Sequence, residues 1–332
     1  MTVIVFNLQT PTGAAAIFGD DDRQALTSSS SLYPLSRATA IAVIKTSRVL
    51  KADGTLDLSA DRLSHLCMTE RLFNEPSVNY ACTGFLIAPD LLVTAGHCVY
   101  AVNTPNNELK NETGLACPVF DWLFDFAQLA SGGLNLVGIS QSHLYHCKQI
   151  VYAAQQEHSP FADFALIQLD RAVLDRAPLK MATAPLSLGA PVFIIGYPYG
   201  TPVKLTDHGR VLFTNPMASA FVTNLDAFEG NSGSPVFNSL NEVTGILVGG
   251  TPSANTYFDS KNQCERFNRC DDNAKNCILP DQDTSVFPEF QAVGSDVQRI
   301  EAVIKVLPSF VFAERSPMTA GLFSSGVPQA VF

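Results

Sequence analysis

Residues 190–250 of this 332-residue chain consist of short runs of strand-forming residues, and Gly, Pro, Asn and Asp mark the breaks between them. Several short strands at such regular spacing are typical of a β-barrel or a β-sandwich. An apolar run at residues 40–44 adds a candidate buried strand near the start of the chain. The sequence therefore predicts an all-β fold. The predicted strands of the later region are Val192–Ile195, Arg210–Phe213, Ala220–Thr223, Ser234–Phe237 and Val243–Val248.

The charge balance of the chain is acidic. Charged residues make up 16% of the sequence and the formal net charge is −10. Such a chain lacks the basic face that phosphate binding needs, which argues against nucleic acid as its main partner. No apolar run approaches the roughly 18 residues of a membrane-spanning helix, so we expect no membrane span. The first residues, Met1–Phe6, have neither the basic segment nor the long apolar stretch of a signal peptide.

The chain has eight cysteines, an even number at wide spacing and without a Cys-x-x-Cys pair. This pattern favours disulfides over a zinc site. Disulfides persist in oxidising compartments, so we expect a secreted or periplasmic protein. Buried free thiols are the alternative. The cysteines are Cys67, Cys82, Cys98, Cys117, Cys147, Cys264, Cys270 and Cys277.

Residues 82–98 predict a tight hairpin with a turn at Pro89–Asp90. A hairpin brings its two ends together, so Cys82 and Cys98 should bond and fasten the loop that carries His97.

Cys117 is expected to bond to Cys147. Residues 251–289 hold three further cysteines. Three cysteines cannot pair among themselves, so one of them should reach the distant Cys67.

The segment Gly230–Pro235 presents one serine, Ser232, between glycines that let the backbone approach a ligand closely. A serine hydroxyl attacks a carbonyl only when a nearby base takes its proton, and that base needs a third group to orient it. His97 lies in the run Thr-Ala-Gly-His-Cys. Asp163 lies at the head of an apolar, strand-like run, where an unpaired carboxylate would be costly. We therefore expect these three side chains to meet in space.

The chain order His97, Asp163, Ser232 is one of the known orders of this triad. With the Asn-Ser-Gly-Ser-Pro form of the serine segment, the sequence resembles the trypsin/chymotrypsin superfamily of serine endopeptidases. It is most similar to the bacterial branch, which includes the glutamyl endopeptidases. The resemblance implies two antiparallel six-stranded β-barrels with a C-terminal helix, and an active site in the cleft between the barrels.

The resemblance also assigns roles to residues. Ser232 would be the nucleophile, His97 the general base, and Asp163 the residue that orients His97. The backbone N–H groups of Gly230 and Ser232 would form the oxyanion hole. No metal and no cofactor is needed for this chemistry.

The resemblance predicts a substrate pocket as well. Asp226 lies six residues before Ser232, where trypsin has the aspartate that binds Arg or Lys side chains. Glutamyl endopeptidases use a histidine on the strand that lines the pocket, whereas the matching strand here carries Leu247 and Gly249 and no histidine. We therefore expect Asp226, Leu247 and Gly249 to contact substrate, with a weak preference for basic residues before the scissile bond.

Two neighbours of Ser232 depart from relatives. Asn231 stands where trypsin has an aspartate that pairs with the newly freed N-terminus, and an amide cannot make that ion pair. Activation by the trypsin-type switch is therefore not expected. Glu229 stands where many bacterial relatives have glycine, and its charge at the mouth of the site favours basic substrate residues nearby.

Five segments are predicted along the chain. Apolar residues at helical spacing from Val297 to Leu307, followed by Pro308, predict a C-terminal helix. The predicted segments are an N-terminal arm or pro-segment (1–37), a first β-barrel with His97 and Asp163 (38–180), a second β-barrel with Ser232 (181–295), the C-terminal helix (296–307) and a tail (308–332).

The sequence thus predicts a serine endopeptidase that acts on protein or peptide substrates, with its oligomeric state open. An esterase or acyltransferase with the same triad is one alternative. A catalytically silent binding protein on a protease scaffold is the other.

Overall fold

The computed structural model describes residues 16–99, 116–129, 131, 133–134, 136–156, 162–251, 255–279 and 293–313. Its α-helices are α1 (Tyr33–Arg37), α2 (Ala116–Val119) and α3 (Glu301–Ala313), and single 3₁₀ turns lie at Lys45–Ser47, Gly96–Cys98, Gln141–His143 and Pro198–Gly200. The strands are β1 (Ile17–Phe18), β2 (Arg23–Ala25), β3 (Thr39–Ile44), β4 (Arg48–Leu50), β5 (Thr55–Leu58), β6 (Ala60–Arg62), β7 (Pro76–Val78), β8 (Tyr80–Ala88), β9 (Leu91–Thr94), β10 (Phe120–Phe124), β11 (Ile139–Ser140), β12 (Leu144–Tyr145), β13 (Cys147–Gln156), β14 (Ala162–Leu169), β15 (Pro191–Gly196), β16 (Lys204–Thr214), β17 (Ala220–Thr223), β18 (Pro235–Asn238), β19 (Val243–Thr251), β20 (Thr256–Asp259), β21 (Cys264–Phe267), β22 (Arg269–Cys270) and β23 (Gly294–Arg299).

Seven antiparallel strands form the first large sheet, in the order β12-β10-β3-β8-β9-β14-β13. The sheet curls into a half-barrel around fully buried side chains that include Ile41, Phe85 and Trp122. β14 lies between β9 and β13. Its residues from Asp163 to Leu169 are all buried, which agrees with the apolar character of both of its faces in the sequence.

Six strands close a barrel in the order β15-β18-β19-β23-β17-β16, because β15 also pairs with β16. β17 pairs with β16 over Val211–Thr214, and β2 of the N-terminal arm pairs with β16 over Lys204–Thr206. The interior of this barrel is apolar. Its side chains are Val192, Ile194, Val211, Phe221, Val236, Leu247 and Val297, together with Leu225 and Ala227.

The two sheets confirm the predicted all-β fold with two barrel-like halves. They differ from the prediction in one respect, since the first half is a curled sheet of seven strands and only the second closes with six. Among the helices described, none has both the length and the apolar character to cross a membrane.

The prediction of a helix over residues 296–307 is wrong at its start. β23 pairs with β17 on one side and with β19 on the other, and Val297 packs inside the second barrel. The backbone donors and acceptors of this segment are satisfied by two neighbouring strands, which outweighs a helical spacing of apolar residues. α3 begins only at Glu301, and it extends to Ala313, so Pro308 does not end the helix as predicted.

Four disulfides join all eight cysteines, so the alternative of free thiols is excluded. Cys82–Cys98 and Cys117–Cys147 are the pairs expected from the sequence, and Cys67 is the distant partner of Cys264. The fourth pair is Cys270–Cys277.

Candidate active site

His97 lies in the 3₁₀ turn that follows β9. Cys98, the next residue, is bonded to Cys82 in β8, so the turn is fastened to the neighbouring strand. Gly96 is required at the start of this turn. A Cβ at residue 96 would collide with the carbonyl oxygen of Ala154 and would lie 2.9 Å from Oδ1 of Asp163. The absent side chain lets His97 approach β14 closely.

Asp163 makes two hydrogen bonds to His97. Its Oδ1 accepts the backbone N–H of His97 at 2.8 Å, and its Oδ2 lies 2.8 Å from the ring Nδ1. The backbone N–H of Asp163 in turn donates to Oε1 of Gln298 in β23, at 3.0 Å. The carboxylate therefore fixes the ring through two contacts, while its own backbone is held by the second barrel.

The local environment shifts the pKa of His97. Burial alone would lower this pKa. The charge of Asp163 and its hydrogen bond raise it by more than burial lowers it, so the pKa of His97 lies above its usual value. The side chains of His97 and Asp163 are 9% and 11% exposed, so water screens their attraction little. The ring is thus prepared to carry a positive charge.

Ser232 lies in the loop between β17 and β18, and its surface is 8% exposed. The loop turns through two glycines with left-handed backbone, Gly230 at φ +91° and Gly233 at φ +87°, which other residues adopt only with strain. Three backbone hydrogen bonds hold the turn: Asn231 N–H to Phe228 O, Ser234 N–H to Asn231 O, and Gly233 N–H to Leu247 O.

The serine loop docks on the histidine side of the molecule. The backbone N–H of Thr83 donates to the carbonyl oxygen of Ser232 at 2.8 Å, and the Thr83 hydroxyl donates to the carbonyl oxygen of Gly230 at 2.6 Å. Sγ of Cys98 lies 3.9 Å from the same Ser232 oxygen. The structure thus brings the loop of Ser232 against the disulfide next to His97.

Asp226 does not line an open pocket, in contrast to the contact with substrate that its spacing predicts. Its Oδ1 accepts the backbone N–H of Phe18 at 2.7 Å, and its Oδ2 accepts that of Asp22 at 3.4 Å. The residue is 2% exposed, and burial raises its pKa to about 8. The reason lies in the N-terminal arm, which covers the carboxyl group from a position some 200 residues away in the sequence.

Leu247 also departs from its expected role. Its side chain belongs to the apolar interior of the second barrel, beside Phe221 and Val297, because alternate residues of β19 point inward. Gly249 pairs with Asp296 of β23. β18 pairs with β19 only from Val243 to Ile246, so Gly249 lies beyond the end of that ladder.

Glu229, three residues before Ser232 in the chain, is exposed. The hydroxyl of Tyr80 lies 3.5 Å from its Oε2, and Nδ2 of Asn255 lies 3.4 Å from its Oε1. Burial, together with the negative charge of Glu229, raises the pKa of Tyr80 above its usual value. This corner of the site therefore presents one carboxylate to solvent.

Several contacts at the site carry no sequence signal. Gln298 lies far along the chain from the serine, histidine and aspartate motifs, and nothing in its neighbours marks it as a contact of Asp163. Tyr80 lies two residues before Cys82, just outside the predicted hairpin, and no pattern indicates its contact with Glu229. Thr83 directly follows Cys82, so its place beside the disulfide could have been found from the predicted hairpin.

Cys82, His97 and Cys98 are the one group of possible metal-binding side chains found close together in the described part of the chain. The two cysteines are bonded to each other and offer no thiolate. This group therefore does not make a metal site.

Comparison with known proteins finds one matching family and several similar proteins. A family model described as a trypsin-like peptidase domain matches residues 82–246. Glutamyl endopeptidases of Staphylococcus aureus strains MW2 and MSSA476 are each 40% identical over 62 residues. This match spans 19% of this chain and 19% of the length of those relatives. A solved structure of a Glu endopeptidase in complex with MPD is 15% identical, with a TM-score of 0.49, and the match covers 90% of this chain and 99% of that chain.

The matched domain begins at Cys82, contains His97, Asp163 and the serine loop, and ends in β19. The chain belongs to the trypsin-like peptidase family.

Proposed function

We propose that this protein is a serine endopeptidase, with Ser232 as nucleophile, His97 as general base and Asp163 as the residue that orients His97. The observation that carries the proposal is the pair of hydrogen bonds from one carboxylate to both the backbone and the ring of His97. A carboxylate that served only to bind the backbone N–H would not also bind the ring at Nδ1. Because Nδ1 is held by Asp163, Nε2 remains available to receive a proton.

The proposed reaction has two halves. Oγ of Ser232 attacks the carbonyl carbon of the scissile peptide bond while Nε2 of His97 takes the hydroxyl proton. The tetrahedral intermediate expels the amine, which receives that proton from His97, and an acyl-enzyme remains. Water then attacks the ester with His97 again as base, and collapse of the second intermediate releases the acid and restores Ser232.

Two features support low barriers for these steps. The raised pKa of His97 favours the cation that forms when it takes the serine proton. The N–H groups of Gly230 and Ser232 are proposed to bind the oxyanion. The left-handed backbone of Gly230 supports this, because a Cβ there would meet the carbonyl oxygen of Tyr197. Loss of one such donor typically costs about 2.7–4 kcal/mol of barrier lowering.

We assign the expected weak preference for basic residues to Glu229 and not to Asp226. Glu229 is exposed in the chain three residues before Ser232, whereas Asp226 is covered by the N-terminal arm. The relatives named glutamyl endopeptidases suggest the rival preference, for Glu. A substrate carboxylate needs a cation or strong donors, and the strand position expected to supply a histidine carries the buried Leu247. Cleavage of a peptide library mainly after Glu would refute our assignment.

Ser232→Ala provides the direct test. It should abolish casein hydrolysis and labelling by an organophosphonate probe, while Ser187→Ala, an exposed serine in a loop before β15, should leave both unchanged. Undiminished turnover by the Ser232 variant contradicts the mechanism. Labelling and ester hydrolysis without casein hydrolysis would favour the esterase alternative, and absence of labelling in the parent protein would favour the binding protein.

We also propose that the protein acts outside the cytoplasm. Four disulfides tie the fold together, and such bonds persist where the environment is oxidising. Finding the protein only in the cytoplasmic fraction of its source cells, with reduced cysteines, would contradict this.

A further inference from the structure

The N-terminal arm, residues 17–25, is built into the second half of the molecule. β1 pairs in parallel with β22, and β2 pairs with β16. The backbone N–H of Phe18, in β1, and that of Asp22, directly before β2, donate to Asp226. The arm thus contacts the chain six residues before Ser232.

Arg23 carries the deepest contact of the arm. Its side chain is fully buried and pairs with Asp21, with Nε 2.9 Å from Oδ1 and Nη2 2.7 Å from Oδ2. The guanidinium carbon lies 4.4 Å from the ring centroid of Phe228 and 4.3 Å from that of Phe267. A planar cation at this distance from two rings is held by cation–π attraction, which is stronger where water is excluded.

Phe228 connects this contact to the serine loop. Its ring lies 4.7 Å from Phe267 and 5.7 Å from Tyr199, centroid to centroid. Its carbonyl oxygen accepts the N–H of Asn231 at 2.9 Å, and the carbonyl oxygen of the next residue, Glu229, accepts the N–H of Tyr199 at 2.6 Å. The carbonyl of Glu229, directly before Gly230, is therefore held by Tyr199, whose ring packs against the same two phenylalanines as Arg23.

The loop has no ionic support of its own at residue 231. Asn231 is 2% exposed, and among the described residues its Oδ1 has no hydrogen-bond partner. The proposed oxyanion donors, Gly230 and Ser232, flank this residue. Thr83 holds the carbonyl groups of both residues, and the start of the turn depends in addition on what holds Phe228 and Glu229.

We propose that the arm holds the Phe228–Ser232 segment in its catalytic conformation, and that Arg23 is the positioning residue through which it does so. The role in turnover rests on the proposed serine peptidase function. Without the guanidinium, the ring of Phe228 loses one of its packing partners and the turn at Asn231 loosens. Oxyanion binding then weakens in the transition state more than substrate binding weakens in the ground state.

The test replaces Arg23 in the full chain. Arg23→Met keeps the length of the side chain but removes the charge, the pair with Asp21 and the planar stack. We expect kcat per active site, counted with a phosphonate titrant, to fall on the order of 10²-fold, as for loss of one oxyanion donor. KM for a short peptide should change by less than about threefold, because the variant loses an interaction with the transition state and keeps the contacts that bind the substrate in the ground state.

Arg171→Met is the matched control. The Arg171 guanidinium lies 3.9 Å over the ring of Tyr145 and pairs with Asp170, on the first half of the molecule. The same chemical change there should leave kcat within about twofold, because none of its contacts within the described part of the chain reaches the serine loop. An equal fall of kcat in both variants overturns the proposal.

A second readout does not depend on activity. Amide hydrogen exchange of Asn231 and Gly233, whose N–H groups donate to Phe228 O and Leu247 O, should be at least about tenfold faster in Arg23→Met than in the parent or in Arg171→Met, because the turn that holds these two bonds loosens. Unchanged exchange there overturns the arm proposal even if the parent protein is an active peptidase. If the parent protein has no peptidase activity and exchange is still faster in Arg23→Met, the arm proposal is supported and the proposed function is rejected.

Arg23→Lys keeps the test decisive if the methionine variant does not fold. Lysine retains the positive charge but not the planar, two-ring stack. We expect an intermediate loss of kcat and an intermediate rise in exchange. A lysine variant with parental kcat and parental exchange contradicts a stacking role.

Discussion

The histidine loop and the serine loop are held in different ways. The histidine loop is fixed by a covalent bond between residues 16 positions apart and by the adjacent strand β14. The serine loop is fixed by Thr83 of the other half of the molecule and, next to it, by an arm some 200 residues earlier. The constraint on the histidine loop comes from residues nearby in the sequence, whereas the constraints on the serine loop are contacts between segments far apart in the chain.

The largest effect on activity should come from replacing Asp163, the carboxylate that holds His97. Asp163→Asn should lower kcat on the order of 10⁴-fold, because the amide stabilises neither the imidazolium nor its orientation. The charge and hydrogen bond of Asp163 raise the pKa of His97, so their loss lowers it. Since His97 must be neutral to accept a proton, the acid limb of the kcat/KM profile should move to lower pH.

Asp170→Asn is the control for this variant. Asp170 lies at the exit of β14 and is bonded to the backbone of His146 and to Arg171. It should leave both the rate and the profile unchanged. An acid limb that stays in place in Asp163→Asn would show that His97 is not the titrating group.

The next largest effect should come from removing the Cys82–Cys98 disulfide, and it concerns stability. Replacing both Cys82 and Cys98 by serine should lower the free energy of unfolding by about 3 kcal/mol, as expected for a closed loop of this length. Urea unfolding in a Ser232→Ala background, which prevents self-digestion, measures the loss. The Cys270–Cys277 bond closes a loop of only 7 positions, so the same change there should cost less. If the two losses come out in the reverse order, loop length does not govern them.

A smaller effect should come from the one side chain that joins the two halves at Asp163. Gln298→Leu leaves the buried N–H of Asp163 without its acceptor, which should cost about 1–3 kcal/mol of stability. Gln149→Leu removes a half-exposed contact with Gln168 and is expected to cost less than about 0.5 kcal/mol. Thermal unfolding of both variants compares them. Similar losses of stability in the two variants would mean that the buried bond from Asp163 to Gln298 stabilises the fold no more than the half-exposed one.

The smallest effect should be at the exposed rim of the serine loop. Glu229→Gln should reduce the relative kcat/KM for peptides with Arg or Lys near the scissile bond by about two- to fivefold, because an exposed charge pair contributes little. The difference should shrink at high salt. Glu242→Gln, which removes a carboxylate paired with Lys180, should not alter the ranking of substrates. An unchanged ranking in the Glu229 variant removes this residue from specificity.

The sequence predicted well wherever a pattern and its cause lay close together. The short strands of the second barrel, the hairpin that pairs Cys82 with Cys98, and the buried run after Asp163 all depend on neighbouring residues. The spacing of residues 297–307 misled because Val297 is buried by two partner strands, and a period of apolar residues does not reveal which neighbours cover them.

The pocket was harder to predict for the same reason. Register alone aligned Asp226 with a substrate-binding aspartate, but register does not show that Phe18 and Asp22 of the arm occupy its carboxyl oxygens. Asp21, in the acidic run Asp20–Asp22, is paired with the buried Arg23, and the sequence does not indicate this contact. A buried arginine between two phenylalanines has no signature in a linear pattern.

The Cys67–Cys264 bridge spans 197 positions and so encloses His97, Asp163 and Ser232 in one ring of chain. A single cut anywhere inside that ring leaves the two pieces covalently attached. Self-cleaved molecules would therefore migrate as one species in a non-reducing gel and separate into fragments only after thiol treatment. Damage of this kind need not release either half of the catalytic apparatus.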